Sequence, residues 1–205
     1  MPHSFQKKPL SFLYCFYENG GAFMKRSFIK RKWKQCLALL LASSVGFAVA
    51  DQTIKIYQVS AKEPPDGMGA EIGTIIISQT PEGVRFQPLI MGLTPGEHGF
   101  HVHENPSCGK GEKNGMPMAA LKAGGHYDPD KTGRHEGPYG KGHRGDLPRL
   151  LVDENGNATK AVVAPRLTLK ELSGRSLMIH AGGDNYTDNP PMGGGGTRIA
   201  CGVIK

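Results

Sequence analysis

The sequence is poor in aromatic residues, at 7% with a single tryptophan, and poor in cysteine, with four. No segment of helical length carries an amphipathic pattern. The one extended apolar run, Cys36 to Val49, falls short of the roughly 20 residues a spanning helix needs. These shortages exclude a helical bundle, a coiled coil and a multi-span membrane protein. A hydrophobic content of 38% is too high for a disordered chain. What the chain has in excess is glycine, 29 residues, and proline, 15. That composition suits short strands joined by many turns.

The net charge of +7 is unevenly placed. Residues 1–50 contain eight lysines and arginines and one acid, and residues 51–205 contain 17 of each sign. The whole excess therefore belongs to the first fifty residues. There a basic stretch from Lys25 to Lys34 precedes the apolar run, and Ala48-Val49-Ala50 forms a small-x-small site before Asp51. This is the order of a secretory signal peptide. Cleavage is expected after Ala50, giving a periplasmic protein with no stable membrane association. Residues 1–23 look unlike an export signal, and Met24 is the better start. The neutral remainder, 51–205, offers no bulk attraction to nucleic acid. Cleavage removes Cys15 and Cys36 and leaves Cys108 and Cys201. Two cysteines in an exported chain usually pair. Closing a loop of roughly 90 residues would contribute roughly 4–5 kcal/mol at most.

Residues 51–205 read as one domain. Period-two alternation runs through 53–59, 70–78, 83–90, 99–103, 158–163 and 176–180, and 199–204 is a last apolar strand. Turn signals separate them, and 167–172 reads as a short turn. The spacing is that of an antiparallel sandwich or barrel. Two long stretches, 104–148 and 181–197, lack periodicity, and long loops in a compact domain usually carry function.

Seven histidines lie in this domain: His98, His101, His103, His126, His135, His143 and His180. His101 and His103 flank Val102, so a strand points both imidazoles to one face. His180 ends another strand and can converge on them. Imidazole suits copper and zinc. The first long stretch adds His126, His135, His143 and Asp146. Three imidazoles and a carboxylate make a closed four-ligand site of the structural zinc type.

Four motifs occur in order: Gly99-Phe100-His101-Val102-His103-Glu104, Gly124-Gly125-His126-Tyr127-Asp128-Pro129, Gly142-His143-Arg144-Gly145-Asp146-Leu147-Pro148, and Gly196 through Ile204. Together they resemble the copper-zinc superoxide dismutases. The second motif and Ala181-Gly182-Gly183-Asp184-Asn185-Tyr186 resemble the bacterial periplasmic branch. The resemblance spans 51–205. It implies an all-β fold, an eight-stranded antiparallel Greek-key β-barrel or sandwich with two long functional loops. It implies one copper per chain, held by His101, His103, His126 and His180. It implies one zinc, held by His126, His135, His143 and Asp146, with His126 bridging the two as an imidazolate. Asp184 would link the sites, accepting hydrogen bonds from an imidazole on the His103 side and from a zinc-side one, its copper-side partner left open. His98 would support the copper strand through a backbone group. Cys108 and Cys201 match the family's disulfide. Arg198 would form a positive pocket for a small anion. The implied enzyme dismutates superoxide to O₂ and hydrogen peroxide, with Arg198 and His126 as its catalytic residues and superoxide anion as its partner, as monomer or homodimer. Lys110, Lys113, Lys122, Lys131 and Lys141 are candidates for guiding the anion.

The alternative of the same fold is a non-catalytic copper/zinc-binding or copper-delivery domain. It would lack a copper ligand or Arg198, and none is missing. Met116, Met118 and Met192 could serve Cu(I) handling, although methionine more often fills space. Gly140 to Gly145 matches a nucleotide-loop pattern, but without a preceding strand or following helix.

Overall fold

The structure is a computed structural model that describes residues 50–205. Apart from Ala50, the expected leader, with Met24, Cys15 and Cys36, lies outside the described residues. Among the described residues no helix is long and apolar enough to cross a membrane.

The chain forms short strands because β-branched residues alternate with polar ones between turn-forming residues. In order these are β1 (Gln52–Val59), β2 (Met68–Thr80), β3 (Gly83–Ile90), β4 (Gly96–His98), β5 (Phe100–His103), β6 (Gly111–Lys113), β7 (Met116–Met118), β8 (Leu150–Val152), β9 (Val162–Ala164), β10 (Arg175–His180) and β11 (Arg198–Ile204). Seven of them make one antiparallel sheet in the order β5-β10-β11-β1-β2-β3-β9, and β4 pairs with β8. The joins of β3 to β9 and β5 to β10 are the long-range connections of a Greek key. Only Gly99 separates β4 from β5. Taken as one interrupted strand, they bring the count outside the β6–β7 hairpin to the eight expected.

The differences from the sequence reading are local. The strand expected over 158–163 begins only at Val162. Ala158 makes a single rung with Ile90, and the next carbonyl, Thr159 O, is taken by the Gln87 side chain at 2.6 Å. A side-chain donor thus interrupts the ladder. The stretch 104–148 is not wholly irregular, because β6 and β7 form a hairpin whose turn residues Asn114 and Gly115 have φ of 54° and 74°. Asn-Gly favours that turn, so the signal was present. The short turn near 167–172 is a 3-10 segment, Leu169–Leu172, capped reciprocally by Thr168 and Glu171.

One face of the main sheet carries the core. Ile56, Ile75, Phe86, Phe100, Val102, Leu177, Ile179 and Ala200 are buried there, and Phe86 meets Phe100 edge-on at 5.6 Å. The opposite face of β10 and β11 holds a smaller apolar cluster with Met178, Cys108 and Cys201. Cys108 and Cys201 are disulfide-bonded, with Cα atoms 5.7 Å apart, and this pins the 104–148 segment to β11.

Candidate metal centre

The alternation of β5 sets the site. Phe100 and Val102 enter the core, so His101 and His103 point to the other face, where both are fully buried. The segment 125–127 and Gly145 lie along this strand. Tyr127 N donates to Val102 O, Val102 N to Gly145 O, and Gly145 N to Tyr127 O, at 2.8–2.9 Å. A Cβ on Gly145 would collide with Val102 O and Tyr127 N, so glycine permits this approach. Isolated bridges then set His126 opposite His103 and Asp146 opposite His101. His180 ends β10, where a register shift follows Ile179 and pairs His180 with Arg198.

All seven residues of the two expected ligand sets are buried. Ligand atoms of His101, His103, His126 and His180 lie within 4.8 Å of one another. Around Asp146, one carboxylate oxygen meets three Nδ1 atoms, those of His126 at 2.9 Å, His135 at 3.1 Å and His143 at 3.3 Å. The atoms of His101, His126, His135 and Asp146 also fall within 4.8 Å of one another. We group His143 rather than His101 with Asp146, because three ring nitrogens converging on one oxygen mark the tighter centre.

The hydrogen bonds define a donor set. His101 Nε2 meets Asp184 Oδ2 at 2.7 Å, His103 Nδ1 meets Gly124 O at 3.0 Å, and His180 Nδ1 meets Gly196 O at 3.0 Å. Each contact engages one ring nitrogen with an acceptor, which fixes that nitrogen as the N–H and leaves the other as a lone pair. The remaining nitrogens are His101 Nδ1, His103 Nε2 and His180 Nε2, and all are buried without a partner. His135 repeats the pattern. Its Nε2 donates to Asp184 Oδ1 at 2.8 Å, and its Nδ1, like that of His143, faces Asp146 Oδ1 without completing a hydrogen bond. Buried polar atoms are nearly always satisfied. Three buried imidazole nitrogens without partners, beside three Nδ1 atoms that converge on one carboxylate oxygen, fit two metal ions.

The comparisons agree with this geometry. The family model "Copper/zinc superoxide dismutase (SODC)" matches residues 71–204. The chain belongs to the copper/zinc superoxide dismutases. It is 56% identical over 155 residues to "Superoxide dismutase [Cu-Zn]" of Brucella abortus, covering 75% of this chain and 87% of that one. To the protein of the same name from Escherichia coli K12 it is 48% identical over 179 residues, covering 86% of this chain and all of that one. Among solved structures, "Cu/Zn superoxide dismutase from Brucella abortus" aligns with a TM-score of 0.73 at 54% identity, over 76% of this chain and all of that one. As a copper/zinc superoxide dismutase the chain uses copper and zinc to dismutate superoxide.

In this dismutase the expected site residues come together, with one correction. Asp184 touches His101 and His135, not the His103 side. His103 has its Nδ1 held by Gly124 O instead. His98 does support the copper strand, lying between His180 O at 2.6 Å and Thr94 O at 2.8 Å. Arg198 donates to Ala120 O and to Gly124 O, at 2.6 and 2.7 Å. The same Gly124 carbonyl therefore meets both Arg198 and His103. Of the lysines, Lys110 is engaged with Glu63 O at 3.1 Å. A cavity of about 650 Å³ beside Arg198 has Lys62 as its other cation, a residue the sequence reading passed over.

Electrostatics without metal favour neutral copper-side rings. Burial, then the charge of His126, pushes His101 and His103 well below the ordinary histidine range. Burial likewise lowers His126, and lowers His180 to about 4. A neutral imidazole is the form that ligates. His135 is different. Burial opposes its charge, but Asp146 and Asp184 outweigh it and raise the ring to about 9. Burial works to raise Asp146 and Asp184, yet their histidine donors hold both well below the usual carboxylate range.

Proposed function

We propose that His101, His103, His126 and His180 hold copper, and that His126, His135, His143 and Asp146 hold zinc, with His126 shared. The observation that carries this is the pair of adjacent clusters, three buried imidazole nitrogens without partners beside three Nδ1 atoms converging on Asp146 Oδ1. Copper supplies one-electron chemistry by cycling between two oxidation states; zinc is redox-inert. The protein supplies positions and protons. Asp184 fixes His101 and His135 through its two oxygens, so both metal clusters share one rigid carboxylate. Arg198, anchored by two carbonyls, keeps a fixed positive fork for the small anion substrate. Partial burial of this guanidinium strengthens its attraction for an anion. His126 is the ring able to carry a proton between the clusters, because its Nδ1 faces Asp146 while the ring belongs to both ligand sets.

We further propose that residues 51–205 form the working domain and that residues 1–50 direct export to the periplasm and are removed, so that the enzyme meets superoxide in the cell envelope. The basic-then-apolar order and the Ala48-Val49-Ala50 site support this reading. Cell fractionation with the mature mass tests it; a cytoplasmic chain retaining residues 24–50 refutes it.

Metal analysis and a superoxide assay, before and after chelation, test the metal assignment. His126→Ala is the sharper variant. It should remove the magnetic coupling between copper and Co(II) placed in the zinc site, and lower activity. Unchanged activity and unchanged copper spectra would overturn the bridge.

A further inference from the structure

We propose that Arg149 and Tyr186 are positioning residues that hold Asp184 between the copper-side and zinc-side imidazoles. The inference rests on the metal assignment above. Arg149 follows Asp146 by three residues and precedes β8. Its Nε donates to Asp184 O, and its Nη1 to Glu97 Oε2 at 2.9 Å. Its backbone N–H donates to Tyr186 Oη at 3.0 Å, and its guanidinium lies 4.5 Å from the centre of the Tyr186 ring. Tyr186 N in turn donates to Asp184 Oδ1 at 2.8 Å, the same oxygen that meets His135. Both backbone and side chain of Asp184 are thus held from the Arg149–Tyr186 pair.

The ring of Tyr186 also rests on Gly137, which lies two residues after His135. A Cβ on Gly137 would fall 2.6 Å from Tyr186 Cγ, so only glycine lets the side chain approach this closely. Tyr186 is therefore layered between the segment bearing His135 and Arg149, while Arg149 sits on the segment bearing Asp146. Three pieces of chain that carry zinc-side groups meet at one ring. Arginine suits the task because its planar fork stacks and donates in two directions at once; lysine offers a point charge. Tyr186 itself has φ of 59°, a left-handed conformation that its bond to Asp184 helps to hold.

A staple with no bearing on the metals would change stability alone. A positioning pair changes how the zinc site holds its ion. The test uses the purified protein loaded with both metals, and compares Arg149→Ala, Tyr186→Ala and Arg149→Met with Arg85→Ala, a half-buried control on β3. Zinc release to a chromophoric chelator and the visible spectrum of Co(II) in the zinc site are read beside urea midpoints. Outer partners of metal ligands change affinity by about 10–100-fold. Acting one step further out, the two alanine variants should release zinc about tenfold faster and shift the Co(II) spectrum, with Arg85→Ala unchanged. Arg149→Met keeps the stem without the fork and decides the matter if the alanine variants do not fold. Lowered midpoints with zinc release within twofold of the unaltered protein and an unshifted spectrum overturn the positioning role. Failure of the unaltered protein to bind zinc overturns the metal assignment and this inference with it.

Discussion

A glycine lies against the hydrogen bond that joins Asp184 to His135. Gly193 has φ of +75°, and a Cβ there would land on Asp184 Oδ1 and His135 Nε2, the two ends of a 2.8 Å hydrogen bond. Gly193→Ala therefore carries two separable costs. The left-handed backbone costs about 1 kcal/mol in any such position. The second cost is local, because either Asp184 or His135 must move. Disturbing such an outer contact lowers metal affinity by about 10–100-fold, equivalent to about 1.4–2.7 kcal/mol. Gly92 supplies the control. It has φ of +78° with nothing within 4 Å of a Cβ, so Gly92→Ala has the backbone cost alone. Zinc affinity is measured by competition with a chromophoric chelator, and stability by urea unfolding of the metal-free protein. Gly92→Ala should lose about 1 kcal/mol of stability and Gly193→Ala more, and only Gly193→Ala should lose zinc affinity. Equal zinc affinities for the two variants would refute the reasoning, since it depends on the side-chain collision and not on φ.

Three further outcomes are expected. Cys201→Ser should lower stability by up to about 4–5 kcal/mol, because the bridge closes a long loop in the unfolded chain, with a sequence separation of 93; a change under about 1 kcal/mol in urea unfolding contradicts this. Metal-free protein should be most stable near pH 6.5. His180, lowered to about 4, adds an acid limb that removes about 3 kcal/mol as pH falls from 6.5 to 4, since the unfolded chain then binds the extra proton. His135, raised to about 9, contributes stability that is full below pH 6.5 and lost as pH rises through 9, so a stability flat from pH 4 to 9 contradicts both limbs. Lys62→Glu should lower kcat/KM at low ionic strength and flatten its salt dependence, because Lys62 shares the cavity beside Arg198; stopped-flow rates insensitive to this change exclude Lys62 from the approach.

Much of the site was legible in the chain, for stated reasons. His101 and His103 share a face because a strand repeats every two residues, and that held. The ligand types and the order of the motifs named the metals. The partner of Asp184 was not legible. His101 and His103 both point to its side of the sheet, and their spacing does not say which one the 181–197 segment reaches. The choice falls to His101 because Gly124 O already occupies His103 Nδ1. Arg149 and Tyr186 escaped notice because their meaning lies in contacts across distant segments. The strand β8 escaped because three residues are too few for alternation to register.

The sequence by itself determined which atoms are available. It set seven histidines on an alternating, turn-rich domain, two cysteines able to pair, and a basic leader set apart from a neutral remainder. Tertiary structure decided which nitrogen of each ring remains free. A neutral imidazole has one N–H and one lone-pair nitrogen, and an acceptor placed at one nitrogen fixes the proton there and leaves the lone pair at the other. Here those acceptors are Gly124 O, Gly196 O and the two oxygens of Asp184. They come from segments remote from the ligands they serve, and only the closed fold brings them within hydrogen-bonding distance.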